Sequence, residues 1–170
     1  MNYSKIQKFD TANAPGVSLT LFVSGCPFKC PGCFNQEAWD YDYGKNFTIA
    51  EKNLILQELN NKVYSSFSLL GGEPFAQGLD GTISLINLLA EIKRARPDIK
   101  VWCWTGSLFE GILTEPLKKE LLKLIDVLVD GRFILEKKDL SLAHRGSSNQ
   151  RIIDVKKSLQ EERVVPWNFV

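Results

Sequence analysis

Three of the four cysteines in this 170-residue chain fall inside one run, Cys26-Pro27-Phe28-Lys29-Cys30-Pro31-Gly32-Cys33, and that spacing limits what the chain can be. An apolar, β-prone run, Ser18-Leu19-Thr20-Leu21-Phe22-Val23, comes just before it and ends at Gly25. The thiols therefore sit on a loop at the end of a strand. Pro27, Pro31 and Gly32 favour sharp turns, so the loop can gather its sulfurs around one centre. Iron–sulfur clusters are held by such thiolates. Three ligands would leave one iron of a 4Fe-4S cubane without protein ligation, and an open position implies chemistry rather than scaffolding.

Other uses of the thiols need other features. Structural zinc takes four Cys or His ligands, commonly as paired short motifs, and no second pair is present. A zinc-binding structural module on these cysteines is the non-enzymatic alternative, and redox chemistry by the thiols themselves is a third reading. Cys103 lies in the apolar run Val101-Trp102-Cys103-Trp104. It reads as core, with the role of fourth ligand as the alternative. The sole histidine, His144, stands beside Arg145 and reads as a surface or partner-facing residue.

No run approaches the ~20 apolar residues of a membrane span. The start, Met1-Asn2-Tyr3-Ser4-Lys5, also lacks the apolar centre of a signal peptide. A cytoplasmic location is expected, where clustered cysteines are metal ligands or catalytic groups rather than disulfides. The net charge of +1 argues against nucleic-acid or membrane-surface binding. Short basic groups (Lys93, Arg94 and Arg96; Lys118 and Lys119; Lys156 and Lys157) are interrupted by acidic and apolar residues and read as solvated helix faces.

Apolar runs alternate with helical patterns, as in repeated βα units. After the first strand come Phe67-Ser68-Leu69-Leu70, closed by Gly71-Gly72, then Val101 to Trp104 and Val127-Leu128-Val129. A first helix begins at Thr48, with Glu51 completing a capping box and Leu56, Leu59 and Val63 at helical spacing. A second runs from about Ile83 to Ala95 on the stripe Leu85, Leu88, Leu89 and Ile92, and Pro97 ends it. A third starts near Pro116 and carries Leu117, Leu121, Leu124 and Ile125. The pattern predicts an α/β fold, one domain over 1–170 with a tail at about 151–170, and a parallel sheet whose functional loops lie at the strand C-terminal ends. A complete barrel of eight βα units takes ~250 residues, so only part of one, with an open side, is expected.

The CxxxCxxC loop and Gly71-Gly72-Glu73-Pro74 together resemble the radical S-adenosylmethionine superfamily. Further segments extend the likeness over nearly the whole chain: Asn13-Ala14-Pro15-Gly16, Leu21 to Cys26, Cys30 to Asn35, Trp102 to Gly106, Val129 to Phe133 and Arg145-Gly146-Ser147-Ser148-Asn149-Gln150. Within the superfamily the chain resembles the glycyl-radical-enzyme activases that serve anaerobic ribonucleoside-triphosphate reductase. That resemblance implies an open partial βα barrel and one 4Fe-4S cluster on Cys26, Cys30 and Cys33 with one iron unligated by protein. It implies reductive cleavage of S-adenosylmethionine to methionine and a 5′-deoxyadenosyl radical, which takes hydrogen from a glycine of the class III reductase. A reduced flavodoxin is the electron donor expected of the family.

The same resemblance places Gly71, Gly72 and Glu73 along the amino end of the cofactor, and Gly32, Cys33 and Phe34 on the cofactor side of the loop. Thr105 and Gly106 are cofactor neighbours or simply a turn. Asp130 is a loop cap or a cofactor contact, with the cap favoured, and the Arg145 to Gln150 segment is assigned to the partner surface. Many superfamily members have an aromatic residue before the third cysteine, where this chain has Gly32; the reductase activases share that glycine. Ala14 stands where the family more often has glycine. An activase for another glycyl radical enzyme, or a compact small-molecule radical enzyme, is the alternative, although activases of pyruvate formate-lyase are usually longer.

Overall fold

The alternation of side chains along the central strands decides the architecture. In Ser18–Val23, Ser66–Gly71 and Lys100–Trp104 one set, Leu19, Leu21, Val23, Phe67, Leu69, Val101 and Cys103, is apolar and packs with the helices in one core. The other set, Ser18, Thr20, Ser66, Ser68, Trp102 and Trp104, points to the opposite face. Period-two alternation with helices on one face belongs to a singly wound sheet rather than a doubly wound one.

A computed structural model describes residues 1–168; the end of the tail, Phe169 and Val170, lies outside the described residues. The strands are β1 (Asn2–Asp10), β2 (Ser18–Val23), β3 (Lys45–Asn46), β4 (Ser66–Gly71), β5 (Lys100–Trp104), β6 (Val127–Asp130) and β7 (Arg151–Asp154). They form one open seven-stranded sheet in the order β3-β1-β2-β4-β5-β6-β7. The central four are parallel and in sequence order, while β1, β3 and β7 join antiparallel at the sides. The expectation of a parallel sheet therefore holds for the centre and is corrected at both edges, where β1, β3 and β7 are polar and gave no apolar run to read.

The helices are α1 (Ile49–Glu58), α2 (Gly78–Ala95), α3 (Phe109–Leu113), α4 (Pro116–Leu122) and α5 (Val155–Glu161). Thr48 and Glu51 form the expected capping box. The buried stripe of α1 is Ile55 and Leu59, however, and Val63 lies beyond the helix and is exposed. Helix α2 buries Leu85, Leu88, Leu89 and Ile92 as expected but starts five residues earlier, at Gly78. After α5 the chain returns to the sheet: Asp154 and Trp167 donate backbone hydrogen bonds to Val165 and Ile152, so residues 165–167 lie along the open edge of β7. No helix among the described residues is long and apolar enough to cross a membrane.

Arg96 departs from the solvated-face reading. It is 5% exposed, and its guanidinium donates to the carbonyls of Leu59, Asn61 and Tyr64 and to Asp98. One side chain thus ties the loop before β4 to the loop before β5. Lys93 likewise pairs with Asp126.

On the inner face the loop after β1 folds back across the sheet. Asp10, 1% exposed, accepts from Thr20 Oγ1 at 2.6 Å, Asn13 Nδ2 at 2.8 Å and the Ala12 amide at 2.9 Å. Burial pushes its pKa up, but these donors outweigh burial and hold it below the usual value. Ser68 Oγ donates to the Asn13 carbonyl and meets Ser18 Oγ at 2.7 Å. Ala14 is carried into a buried position against Trp102, Val127 and Val129 with φ of 120°, a conformation costly for any residue but glycine.

Two stability outcomes follow. Arg96→Met should lower stability by at least about 2 kcal/mol in urea unfolding, since it strands the buried carbonyls of Leu59 and Tyr64. Ala14→Gly should leave the urea midpoint unchanged or raise it. Relief of about 1–3 kcal/mol of backbone strain is set against a buried methyl worth about 0.8 kcal/mol and the roughly 0.5–1 kcal/mol of added unfolded-state freedom; a midpoint lowered by the full sum of those two losses would mean that Ala14 is unstrained.

Candidate metal centre and its cavity

Parallel strands in sequence order bring all four of their C-terminal ends to one side of the sheet. The loops that leave them, with Ala12 and Asn13 from the folded-back loop, line a cavity of about 530 Å³. From the loop after β2 come Cys26, Phe28, Cys30, Gly32, Cys33, Phe34 and Trp39; from β4, Gly71, Gly72 and Glu73; from β5, Trp104, Thr105 and Gly106. The excursion between β6 and β7 closes it with Phe133, His144, Arg145 and Gln150. Every site residue expected from the sequence is in this wall.

The cysteine loop is shaped by its prolines and glycines. The Cys33 amide donates to the Cys30 carbonyl at 3.1 Å across Pro31 and Gly32, and Gly32 has φ of 73°. Proline at the second place and a positive-φ glycine at the third are the signature of a type II turn, which holds Cys30 and Cys33 within about 7 Å. The loop closes on itself through Gly25 to Ala38 and Cys26 to Trp39 backbone bonds. Phe28 braces it from below: a Cβ on Gly106 would stand 2.3 Å from the Phe28 ring, and the Arg132 guanidinium covers that ring at 4.4 Å.

All three thiols are free and half-buried. Burial pushes the Cys26 thiol up, against backbone N–H groups of Phe28 and Lys29 that face its sulfur. Burial and then the neighbouring Cys33 push Cys30 up, against the Phe133 amide and Arg132. The Asn35 amide donates to Cys33 Sγ at 3.4 Å. Amides aimed at sulfur stabilise thiolates and their clusters, so the donor set fits an iron–sulfur group. Among the described residues no three His, Cys, Asp or Glu side chains converge on a point that would hold a single ion. Cys103 is fully buried on the helix side, its thiol pushed well up by burial, and so belongs to the core.

Glu73 is 1% exposed and spends its carboxylate on the protein. Oε1 accepts from Thr105 Oγ1 at 2.7 Å and the Phe75 amide at 3.0 Å, and Oε2 accepts from the Gly106 amide at 2.7 Å. Burial raises its pKa despite these donors. Thr105 and Gly106 are thus both cavity wall and a turn clamped to Glu73. The glycines of the motif serve the chain itself: a Cβ on Gly71 would stand 2.5 Å from the Val23 carbonyl oxygen, and one on Gly72 2.4 Å from that of Gly25. Phe34 is 82% exposed and forms the rim with Leu140, at 89%, rather than the interior. Asp130 caps α3 through the Phe109 amide and pairs with Arg151, in line with the cap reading.

One reading is corrected. His144 packs against Trp102 at 5.3 Å between ring centroids and lines the cavity rather than the outer surface. The Arg145 to Gln150 segment knits the excursion together: Gln150 Oε1 accepts from the amides of Gly146 and Ser147, Gln150 Nε2 donates to Gly131, and Asn149 donates to Arg132. Trp39, Phe28 and Asn13 were not marked as site residues. The strand alternation carried a signal for Trp104, whereas His144, brought in by a long irregular segment, left none.

A family model described as a 4Fe-4S single cluster domain matches residues 12–153. An anaerobic ribonucleoside-triphosphate reductase-activating protein of Escherichia coli (strain K12) is 38% identical over 152 residues, covering 88% of this chain and 96% of that protein. The proteins of the same name from Vibrio cholerae and Enterobacteria phage T4 are 37% and 36% identical over 154 residues, covering 89% of this chain and 97% and 93% of theirs. No solved structure matches. The chain belongs to the 4Fe-4S single-cluster family and, within it, to the anaerobic ribonucleoside-triphosphate reductase-activating proteins.

The buried carboxylate makes a measurable prediction. Because the folded pKa of Glu73 is raised, its ionisation becomes a net cost as pH climbs from the usual glutamate value through the raised one. Glu73→Gln cannot titrate. Its amide nitrogen facing the Gly106 or Thr105 donors imposes a constant loss, but its stability relative to the unmodified protein should improve as pH rises above the usual glutamate value and level off once pH passes the raised one; urea melts at a series of pH values check this.

Proposed function

We propose that this protein is an iron–sulfur activase of an anaerobic ribonucleoside-triphosphate reductase, working through radical S-adenosylmethionine chemistry. The observation that carries the proposal is convergence: three half-buried thiols on one turn-rich loop face the same cavity as the ends of all four parallel strands. Cys26, Cys30 and Cys33 would hold a 4Fe-4S cluster, leaving one iron for an exogenous ligand. When bound and reduced, the cluster supplies one electron that cleaves S-adenosylmethionine to methionine and a 5′-deoxyadenosyl radical, which takes a hydrogen atom from a reductase glycine.

The chain's own part is to bind, orient and shield. Gly32, Cys33 and Phe34 border the cluster side, Gly71 and Gly72 offer backbone at the cofactor's amino end, and Glu73 holds Thr105 and Gly106 in the wall opposite. We read the open sheet as a partial βα barrel of the radical S-adenosylmethionine type, formed by 1–170 as one domain, whose open side admits a loop of the large partner. The relatives' names, each that of a reductase-activating protein, support this partner. The cytoplasm, which keeps thiols reduced, and a donor such as reduced flavodoxin complete the reading.

Anaerobic reconstitution with iron and sulfide, reduction and addition of S-adenosylmethionine should yield 5′-deoxyadenosine, lost in Cys30→Ala. Mixing with the anaerobic reductase should then produce a glycyl-radical signal by electron paramagnetic resonance. Tightly bound zinc, or a protein with about four irons that makes no product, would overturn the proposal; product without a reductase radical would redirect it to another glycyl radical enzyme.

A further inference from the structure

Most polar groups of the cavity wall already have protein partners. Glu73 is taken by Thr105, Phe75 and Gly106, Trp104 Nε1 donates to the His144 carbonyl, and the Gln150 amide is held by Gly146, Ser147 and Gly131. Arg145 differs. Its Nη1 donates to the Gln150 carbonyl at 2.8 Å, but its Nε is shut off from solvent and bonds to nothing among the described residues, and the adjoining Nη2 makes no hydrogen bond there either. Arginine ion pairs among the described residues involve Arg96, Arg151 and Arg163, not Arg145. Asp139 senses its charge yet uses an oxygen on the amide and hydroxyl of Ser141.

A guanidinium cannot shed its charge, and a donor withdrawn from water without an acceptor is costly, so such an edge favours an incoming anion. The Nε–Nη2 side is the one that grips a carboxylate with two parallel bonds. It is also held in place, because the Gln150 that anchors Nη1 is itself fixed by three backbone partners. Arg145 lines the same cavity as the cysteine loop: the Phe133 amide faces Cys30 sulfur, and Phe133's ring comes within 3.1 Å of a Cβ placed on Gly146, the next residue after Arg145.

We infer that the Nε–Nη2 edge of Arg145 is a carboxylate subsite of the cavity, and that it takes the α-carboxylate of S-adenosylmethionine. The inference rests on the function proposed above. In that ligand the sulfonium and ammonium are cationic, and the carboxylate is the only anionic group an arginine can accept. The contact sets the ligand's direction, with its methionyl end at the excursion beside the cysteine loop.

The test compares equilibrium binding of S-adenosylmethionine and its decarboxylated analogue to the anaerobically reconstituted protein, Arg145→Gln and Arg145→Lys. Arg145→Gln should weaken S-adenosylmethionine binding by about 10- to 100-fold, the range for a charged hydrogen-bonded pair, and leave the analogue within about twofold. Arg145→Lys, which keeps charge but not the fork, should fall between. The unchanged analogue also shows that the variant still folds and keeps its cavity. Equal weakening of both ligands, or of neither, overturns the subsite and leaves the radical chemistry standing. Failure of the unmodified protein to bind either ligand overturns the function proposed above and the subsite with it.

Discussion

A buried carboxylate holds the working end of this sheet together. Glu73 lies at the end of β4 and receives donors from its own following turn and from the turn after β5. An ion removed from water is tolerable only when its lone pairs are filled, so the three donors and the carboxylate enforce one another. The same loops approach the end of β2 too closely for any side chain at Gly71 or Gly72. The position of the cysteine loop over the cavity depends on this packing, since Phe28 rests on Gly106, one of the groups that Glu73 fixes.

The two faces of the sheet divide the labour. The helix face is predominantly apolar and supplies most of the buried core. The inner face carries Ser18, Thr20 and Ser68: Thr20 donates to Asp10 at the end of β1, Ser68 donates to the Asn13 carbonyl in the loop that returns beneath the cavity, and Ser18 meets Ser68. A polar inner face suits a chamber that must hold a charged ligand. It also explains why the excursion from Arg132 to Gln150 is fastened by so many side-chain to backbone bonds: with few apolar contacts available there, hydrogen bonding sets its shape.

Much of the fold was legible because its signals are local. Short apolar runs followed by glycine marked β2, β4 and β5, the Thr48–Glu51 box marked the start of α1, and Pro97 marked the end of α2. The edge strands β1, β3 and β7 were not, because their residues are half-exposed and carry no apolar pattern. In the site, the cysteines and glycines stood out through residue type and spacing. Phe34, expected on the cofactor side of the loop, lines the cavity at its exposed rim.

The sequence by itself determined the thiol set, the turn that spaces Cys30 and Cys33, and the succession of βα units, since each depends on residues within a few positions of one another. Only the tertiary structure decided that Glu73 clamps a neighbouring loop, that Arg96 is a buried tie, and that His144 and Arg145 face the cavity from more than a hundred residues beyond the cysteines. These roles are set by which charges find partners once water is excluded, and that depends on contacts across the sheet that no local pattern encodes.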